Sequence, residues 1–315
     1  MELRQLRYFI AVAENLSFSK AARQLHITVP PLSRQIRQLE EEFDAPLFVR
    51  DRKHVTLSDA GRLFLREAKG LVTQAARMAD SVRMAKCGSA GLVRIGVGPA
   101  LGERLGRVLI VHGKQYPAVD VQCRDILSCA QYDSLLHGDI DVAFLRPCLD
   151  SPELNSEFLF EEKMVVYISK ANPLAKHKSL RVKDLADQTL LLFDRKIAPG
   201  LYDKTLELYT AAGVNPIISS VAVELVPNND LQALLLTCRK GIRIIPDEVA
   251  CRPAPGSEVA VVPLDEPGAW VQVHMVWRKS EKAAAVLEFA NTARQILRPE
   301  TRNALPLRER AAVAT

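Results

Sequence analysis

The stretch from Phe18 to Leu57, FSKAARQLHITVPPLSRQIRQLEEEFDAPLFVRDRKHVTL, leaves the chain few ways to fold. Ser17 is a good N-cap, and Ala21, Ala22 and Leu25 then share one face of a short helix from Phe18 to Leu25. A second helix begins near Thr28. Pro30 and Pro31 are tolerated only in its first turn, where their missing N–H groups would have no helical partner. Leu32, Ile36 and Leu39 repeat at helical spacing and form its buried stripe. Asp44-Ala45-Pro46 then turns the chain into a small hairpin that Val55 and Leu57 anchor to the core. Two short helices and a basic hairpin predict a winged helix-turn-helix.

The face of the second helix opposite its stripe carries Ser33, Arg34, Gln35, Arg37 and Gln38. In the DNA major groove, Arg pairs bidentately with guanine, Gln with adenine, and Ser with a phosphate or a base edge. A solvated amphipathic helix accounts for the same residue types. The neighbourhood decides between the two. From Leu16 to Leu39 the chain has Lys20, Arg23, Arg34 and Arg37 and no acid, and the acids start abruptly at Glu40, Glu41 and Glu42. Arg50, Arg52 and Lys53 follow in the hairpin, placed for phosphates.

Residues 1–61 closely resemble the N-terminal domain of LysR-type transcriptional regulators. The order ELRQLRYF, SFSKAARQL, PPLSRQIRQLE, PLFVR and LSDAG carries the resemblance without gaps, and the chain length fits as well. The resemblance implies that DNA is met by Ser17, Ser19 and Lys20, by Thr28, Val29, Pro30 and Pro31, and by Ser33, Arg34, Arg37 and Gln38. One departure matters. Family members usually carry Gln where this chain has Val29, and there that side chain often touches a base, so a different operator preference is implied.

At 315 residues the chain predicts two or three domains, and 48% hydrophobic content is ordinary for a globular protein. A net charge of +5 is mild, so the basic residues matter through their placement. No run approaches the ~18 apolar residues of a membrane span. The start, Met-Glu-Leu-Arg-Gln-Leu-Arg, has no apolar core and no small-residue cleavage site. A cytoplasmic location without membrane attachment is the expectation. The six cysteines at 87, 123, 129, 148, 238 and 251 contain no C-x-x-C pair or zinc-ligand spacing, so Cys123 and Cys129 are read as buried, reduced thiols. No metal and no cofactor is expected.

In chain order, residues 1–15 predict an opening helix with Leu3, Leu6, Phe9, Ile10 and Ala13 on one face. From Ala60 to about Lys86 runs one long helix without proline, capped by Ser58. Its apolar stripe, from Leu63 through Leu71 and Met78 to Val82, is longer than a small winged domain covers, so it calls for a second helix. In the resembled family this is the linker helix of a dimer. Cys87-Gly88-Ser89-Ala90-Gly91 is a small-residue hinge.

Beyond the hinge, strands alternate with helices. The expected strands are Leu92–Val97, Val119–Arg124, Asp141–Leu145, Met164–Ser169, Leu190–Phe193, Ser219–Leu225, Ile242–Ile245, Val259–Pro263 and Val271–Trp277. Helices are expected over 102–115, 128–137, 200–212, 228–240 and 281–297. Such alternation predicts mostly parallel sheets in two α/β subdomains joined by crossings near Arg146–Leu149 and Pro263–Gly268. The fold class is α/β with an all-α N-terminal part: winged helix-turn-helix, linker helix, and a two-subdomain domain like the periplasmic binding proteins. The expected boundaries are 1–58, 59–88, and 89–300, the last made of subdomain I (89–147 and 267–300) and subdomain II (148–266). Residues 301–315 form a tail.

Ligands of open α/β sheets bind beyond the carboxyl ends of strands. That places Pro99, Ala100 and Leu101 after the first strand, Ser128 as cap of the next helix, and Arg146 at the end of the third strand against the cleft. From the second subdomain, Pro199, Gly200, Leu201 and Tyr202 would close over the ligand. Ser128 also reads as a plain cap and Arg146 as a hinge brace. The segment is similar to the branch of the family that senses aromatic-pathway acids such as muconate or benzoate. That resemblance implies a hydroxyl at Ser128, an arginine at Arg146 and the 199–201 stretch lining the pocket. Two departures stand out: Pro99-Ala100 replaces a hydroxyl, implying a different or less polar effector, and Thr237-Cys238-Arg239-Lys240 is basic where relatives are small and apolar.

Two rival functions are weaker. Gly96-Val97-Gly98 with Asp120 suggests a dinucleotide site, but Leu101 stands where the third glycine belongs and Asp120 precedes a strand. A solute-binding protein would have no use for residues 1–88. No nucleophile elbow or zinc-protease motif is present, so no enzyme is expected. The expected partners are double-stranded promoter DNA, an aromatic or dicarboxylic acid, further copies of the chain as dimer or tetramer, and RNA polymerase.

Overall fold

The computed structural model describes residues 1–50, 54–86, 90–98, 101–146, 151–219, 241–247 and 258–298. The chain divides into two compact units, Met1–Ser89 with Leu136–Asp139, and Ala90–Leu135 with Ile140–Thr315.

The first unit is built from α1 (Leu3–Asn15), α2 (Phe18–Gln24), α3 (Val29–Glu42), the antiparallel hairpin of β1 (Phe48–Arg50) and β2 (Val55–Leu57), and α4 (Asp59–Lys86). Leu6, Phe9, Val12, Ala21, Ala22, Leu32, Ile36 and Leu39 are buried together, as their helical spacing requires. Phe9 joins this core to the hairpin through Phe48, 5.1 Å between ring centroids, and to α4 through Phe64, 4.8 Å. Ser58 fixes the next corner. Its hydroxyl accepts the Gly61 N–H at 2.9 Å and donates to the Pro46 carbonyl at 2.6 Å. Gly61 must be glycine here, because a Cβ would stand 2.0 Å from the Leu47 carbonyl oxygen. The N-terminal half of α4 packs on this core through Ala68, Leu65 and Val72. Leu63, Leu71, Met78 and Val82 remain exposed along its length.

The second unit holds β3 (Gly91–Val97), α5 (Gly102–Gln115), β4 (Val119–Asp125), α6 (Ser128–His137), β5 (Val142–Leu145) and β6 (Leu154–Ser169). It continues through β7 (Thr189–Leu190), α7 (Pro199–Ala211), β8 (Ile217–Ile218), β9 (Gly241–Pro246), β10 (Val259–Pro263), β11 (Trp270–Arg278) and α8 (Ala284–Leu297). The sheet order is β4-β3-β5-β11-β6-β9-β7-β8, with β10 also on β6. Pairing is parallel for β3 with β4 and β5, and for β7 with β8 and β9, but antiparallel wherever β6 or β11 takes part. The expectation of mostly parallel sheets is therefore corrected to a mixed sheet.

The reason is β6. It was expected from Met164, yet it runs sixteen residues. Its first part, Leu154–Lys163, pairs with β11, and its second part pairs with β9 and β10. The chain thus crosses between the two halves inside a strand, and residues 154–163 lie in the sheet of the first half. Charged residues at Glu157, Glu161, Glu162 and Lys163 hide this strand from a hydrophobicity pattern. The return crossing falls between β10 and β11, where it was expected. The expected strand Leu190–Phe193 shortens to Thr189–Leu190, although Leu191, Leu192 and Phe193 are buried. The expected helix 228–240, most of the strand from Ser219, residues 237–240 and the tail lie outside the described residues.

Each half has its own core. In the first, Val93, Ile95, Phe144, Phe160 and Met275 pack under Leu105 and Val108 of α5 and Phe289 and Ala293 of α8. In the second, Val166, Ile168, Ile242 and Ile244 meet Leu201, Leu208 and Tyr209 of α7. A buried Asp141 pins the strands of the first half. It accepts the Arg94 backbone N–H and the Arg278 guanidinium, each at 2.9 Å.

Candidate DNA-reading and effector sites

The helix-turn-helix forms because its connector accepts an unusual backbone. His26 sits at φ 53°, in the left-handed region, and Ile27 donates its N–H to the Ala22 carbonyl at 3.0 Å. The Ser17 hydroxyl accepts the Lys20 N–H at 3.3 Å, so this predicted cap is in place. Thr28 occupies the cap position of α3 without a side-chain bond. Pro30 and Pro31 fall in the first turn, as steric reasoning requires.

The structure places Ser19, Lys20, Thr28, Val29, Pro30, Arg34, Arg37 and Gln38 at the surface, and Ser17, Pro31 and Ser33 half-buried beside them. Gln35 donates its amide to the Gln38 carbonyl oxygen at 2.8 Å. Arg50 is the last residue of β1, opposite Val55, while Arg52 and Lys53 lie outside the described residues.

The acids at the end of the helix have structural work. Glu40 Oε1 accepts the backbone N–H groups of Leu47 and Phe48 at 3.0 and 3.1 Å, tying the end of α3 to the start of the hairpin. Glu42 receives the N-terminal ammonium at 3.0 Å. Reasoning from sequence treated these acids as the point where the helix leaves DNA. It missed Glu40 as a brace, since a bond across seven residues leaves no periodic signal.

In the second unit, the ends of β3 and β4 and the start of α6 lie together. Ile126 donates its N–H to the Val97 carbonyl at 3.0 Å. Gly98 is buried so closely that a Cβ there would lie 3.8 Å from the Ser128 hydroxyl and 3.6 Å from the Gln131 amide nitrogen. Gln131 is fully buried and donates to the Ile126 carbonyl at 2.7 Å. Ser128 is the first residue of α6 and not its cap. The Leu127 carbonyl accepts the N–H groups of Ala130 and Gln131, which leaves the Ser128 hydroxyl no capping role. Leu101 is 2% exposed and belongs to the core of the first half, so it supports the loop from beneath. Pro99 and Ala100 lie outside the described residues.

From the other half, Pro199 and Gly200 start α7, Leu201 is buried in that half's core, and Tyr202 sets its edge on Phe193. The start of α6 and the segment before α7 are in contact. Cys129 at the start of α6 donates its N–H to the Ile197 carbonyl just before α7, at 3.3 Å. The expectation that Cys123 and Cys129 are buried is corrected: both thiols are free and exposed, one on the edge strand β4 and one on the first turn of α6. Partial desolvation still pushes the Cys123 thiol up from its ordinary value.

Arg146 directly follows β5 and is engaged from within the protein. Its Nε and Nη2 donate to the two carboxylate oxygens of Glu162 at 2.5 and 3.0 Å, a bidentate pair. Glu162 is buried on β6, and a second guanidinium, Arg104 of α5, stands 3.8 Å from it. Arg104 lies over the Phe160 ring, 4.1 Å from its centroid. Two arginines and one glutamate are thus enclosed together. Glu162 and Arg104 carry no family motif in the sequence, and no local pattern marked either of them. Among the described residues no group of three or more His, Cys, Asp or Glu is placed to hold a metal ion. No helix among them is long and apolar enough to cross a membrane.

A winged helix-turn-helix followed by a long helix and a two-part sheet fold with a polar inner site defines a DNA-binding regulator with an effector-binding domain. Family models place the chain: "Bacterial regulatory helix-turn-helix protein, lysR family" matches residues 3–62, and "LysR substrate binding domain" matches residues 87–298. The chain belongs to the LysR family of transcriptional regulators and is not an enzyme. It is 37% identical over 225 residues to the regulator AlsR of Bacillus subtilis, 71% of this chain and 74% of that one. It is 30% identical over 300 residues to BenM of Acinetobacter baylyi, 94% and 96% of the two chains. Among solved structures it is similar to CbnR, with TM-score 0.74 and 26% identity over 94% of this chain and 99% of that one. It is also similar to full-length CbnR complexed with its target DNA, with TM-score 0.71 and 26% identity over 94% and 100%.

Proposed function

We propose that this regulator binds an inverted-repeat operator as a dimer or tetramer and answers to a small aromatic or dicarboxylic acid. The observation that carries the effector class is charge. Arg104 and Arg146 bring two guanidiniums to one place, 3.8 and 2.5 Å from the Glu162 carboxylate, with side chains 10% and 11% exposed. A guanidinium fork matches a carboxylate bidentately, and the acid's carboxylate suits that fork. Arg104 stands in the first turn of α5, where the helix dipole adds to the positive potential. Gly98, Ser128 and the segment from Ile197 to Tyr202 supply the remaining walls.

Arg34 and Arg37 read bases, Ser33 and the exposed turn around Thr28–Pro30 contact the backbone, and Arg50, Arg52 and Lys53 reach phosphates. The exposed stripe Leu63, Leu71, Met78 and Val82 of α4 pairs with the same helix of a second copy, which sets two reading helices one or more DNA turns apart. A groove of about 530 Å³ lined by Leu3, Leu6, Leu71, Ala75 and Met78 continues that surface. The acid shifts the balance between arrangements of the assembly, and with it the DNA bend and recruitment of RNA polymerase. That the relative from Acinetobacter lwoffii is named "Probable cat1 operon transcriptional activator", 35% identical over 218 residues, supports activation.

The test is a mobility shift on DNA upstream of the chain's own gene, with unrelated competitor, at two salt concentrations, with and without a panel of aromatic and dicarboxylic acids. A competitor-resistant shift whose mobility changes with an acid is the expected result. Binding that vanishes with competitor removes the reading role of α3, and an acid-insensitive specific shift removes the effector class.

A further inference from the structure

We propose that Val29 is a specificity residue of the reading helix, and that its side chain packs on the C5-methyl group of an operator thymine. The proposal rests on the reading of α3 as the helix laid in the major groove. Of the aliphatic side chains of α3, Leu32, Ile36 and Leu39 are fully buried, and Val29 alone is exposed, at 37%. Val29 is the first residue of the helix, and a helix-turn-helix brings that end of its second helix to the base edges. Ser33 stands about one turn on and Arg37 about two, so the three follow one side of the helix. Methyls, a hydroxyl and a guanidinium are thus offered in a row.

The start of α3 is poorly equipped to hold phosphate. A helix ordinarily offers its first four N–H groups to an anion. Here those positions are Thr28, Val29, Pro30 and Pro31, and the two prolines have no N–H. The turn around Thr28–Pro30 meets the backbone with what remains, but the Val29 side chain has nothing to give a phosphate. Neither capping nor helix propensity asks for valine at this position. In the major groove thymine alone presents a methyl group, and the other features of the base edges are hydrogen-bond donors and acceptors. Valine against a donor or acceptor strips it of water and returns no bond. Against the methyl it buries apolar surface instead. Its branched Cβ is stiff, so little side-chain freedom is lost on contact. Thr28, exposed beside it, carries the competing methyl.

The experiment selects binding duplexes from a random-sequence pool with the full-length chain. Each thymine of the selected half-site is then replaced singly by deoxyuridine, which deletes the methyl group and nothing else. Affinities are measured by fluorescence anisotropy for the wild-type chain, Val29→Ser, Val29→Ala and Thr28→Ser, with thermal melts alongside. The wild-type chain is expected to lose about fourfold at one thymine of the half-site, the effect of one buried methyl group. At the same place 5-methylcytosine binds more tightly than cytosine. Val29→Ser binds the thymine and deoxyuridine duplexes alike, Val29→Ala falls between, and Thr28→Ser keeps the full difference. If Val29→Ser melts lower than the wild type, Val29→Ala carries the comparison. A methyl effect that persists undiminished in the Val29 variants belongs to another side chain and overturns the proposal. A half-site in which no thymine responds to deoxyuridine overturns it too, and leaves base reading by Arg34 and Arg37 standing. A pool that yields no preferred sequence removes the reading role of α3, and the Val29 contact with it.

Discussion

Glu40, near the end of the reading helix, accepts the backbone N–H of Phe48 at 3.1 Å and so fixes the first strand of the wing to that helix. The same carboxylate oxygen takes the Leu47 N–H at 3.0 Å. The helix α3 and the hairpin are thus tied together by one side chain. Glu40→Ala leaves two part-buried N–H groups without this acceptor and is expected to cost about 1–3 kcal/mol of stability. Urea unfolding of the variant measures it. DNA affinity should fall as well, and with unchanged stability Glu40 would lose its role as brace.

Arg34 is exposed on the face of α3 opposite the buried Leu32, Ile36 and Leu39. Arg34→Ala is expected to cost about 1–3 kcal/mol of binding and to relax the preference at one operator position. Competition assays over a set of single-base operator variants measure both. A loss that is the same on every sequence would make Arg34 a phosphate contact.

Gly61 and Gly113 predict opposite signs for the same substitution. At Gly61 an added Cβ meets the Leu47 carbonyl oxygen at 2.0 Å, and backbone has to move. Gly61→Ala is expected to destabilise by about 1–3 kcal/mol or more. At Gly113, exposed near the end of α5, a Cβ meets nothing within 4 Å. Gly113→Ala should stabilise by about 0.5–1 kcal/mol. Paired thermal melts decide, and equal effects would show that α4 does not approach Leu47 this closely.

His112 sets a pH dependence. It is fully buried, with its ring 4.9 Å from Tyr116 and 5.1 Å from Phe289, and its Nδ1 lies 3.2 Å from the Thr292 hydroxyl. Burial pulls its pKa below the ordinary 6.5, against a smaller opposing pull from Glu288. The unfolded chain therefore takes up a proton that the folded chain refuses. Stability is full above 6.5 and falls as pH drops below it, by at most about 1.4 kcal/mol per pH unit for one group. His274, lowered by burial, contributes with the same sign. Denaturation at about pH 7.5 and about pH 5.5 should show the loss, and His112→Phe should shrink it. An undiminished loss would assign the dependence elsewhere.

Arg146→Ala removes the bidentate partner of a buried glutamate. The expectation is loss of the acid response with operator binding retained, and a stability cost of up to about 3–5 kcal/mol, reduced by Arg104 3.8 Å away. Reporter induction and a gel shift on the same variant separate the two readouts. Normal induction would take Arg146 out of the effector site.

The chemistry of the N-terminal half was legible in the residues because it is local. A cap at Ser17, two prolines confined to a first turn, and Leu32, Ile36 and Leu39 at helical spacing define helices within a few residues of themselves. The exposed face is then whatever the buried stripe leaves out. Strand-helix alternation after Gly91 was legible for the same reason, down to α6 at Ser128–His137 and β10 at Val259–Pro263.

What tertiary structure decided is everything that depends on partners far along the chain. The crossing strand β6 reads as charged, because Glu162 is buried against two arginines and Glu157 is bound by Arg294 at 2.7 Å. No local pattern announces an acid neutralised by a residue from another element. Arg146 was picked out as a ligand arginine or a brace, and only the fold shows that Glu162 occupies its fork and that Arg104 stands 3.8 Å from the same carboxylate. Helix and turn formation is governed by neighbours within about four residues, so sequence order carries it. Ion pairs, close approaches such as Gly61 on Leu47, and braces such as Glu40 on Phe48 follow from which surfaces meet, and that is settled only once the cores have packed.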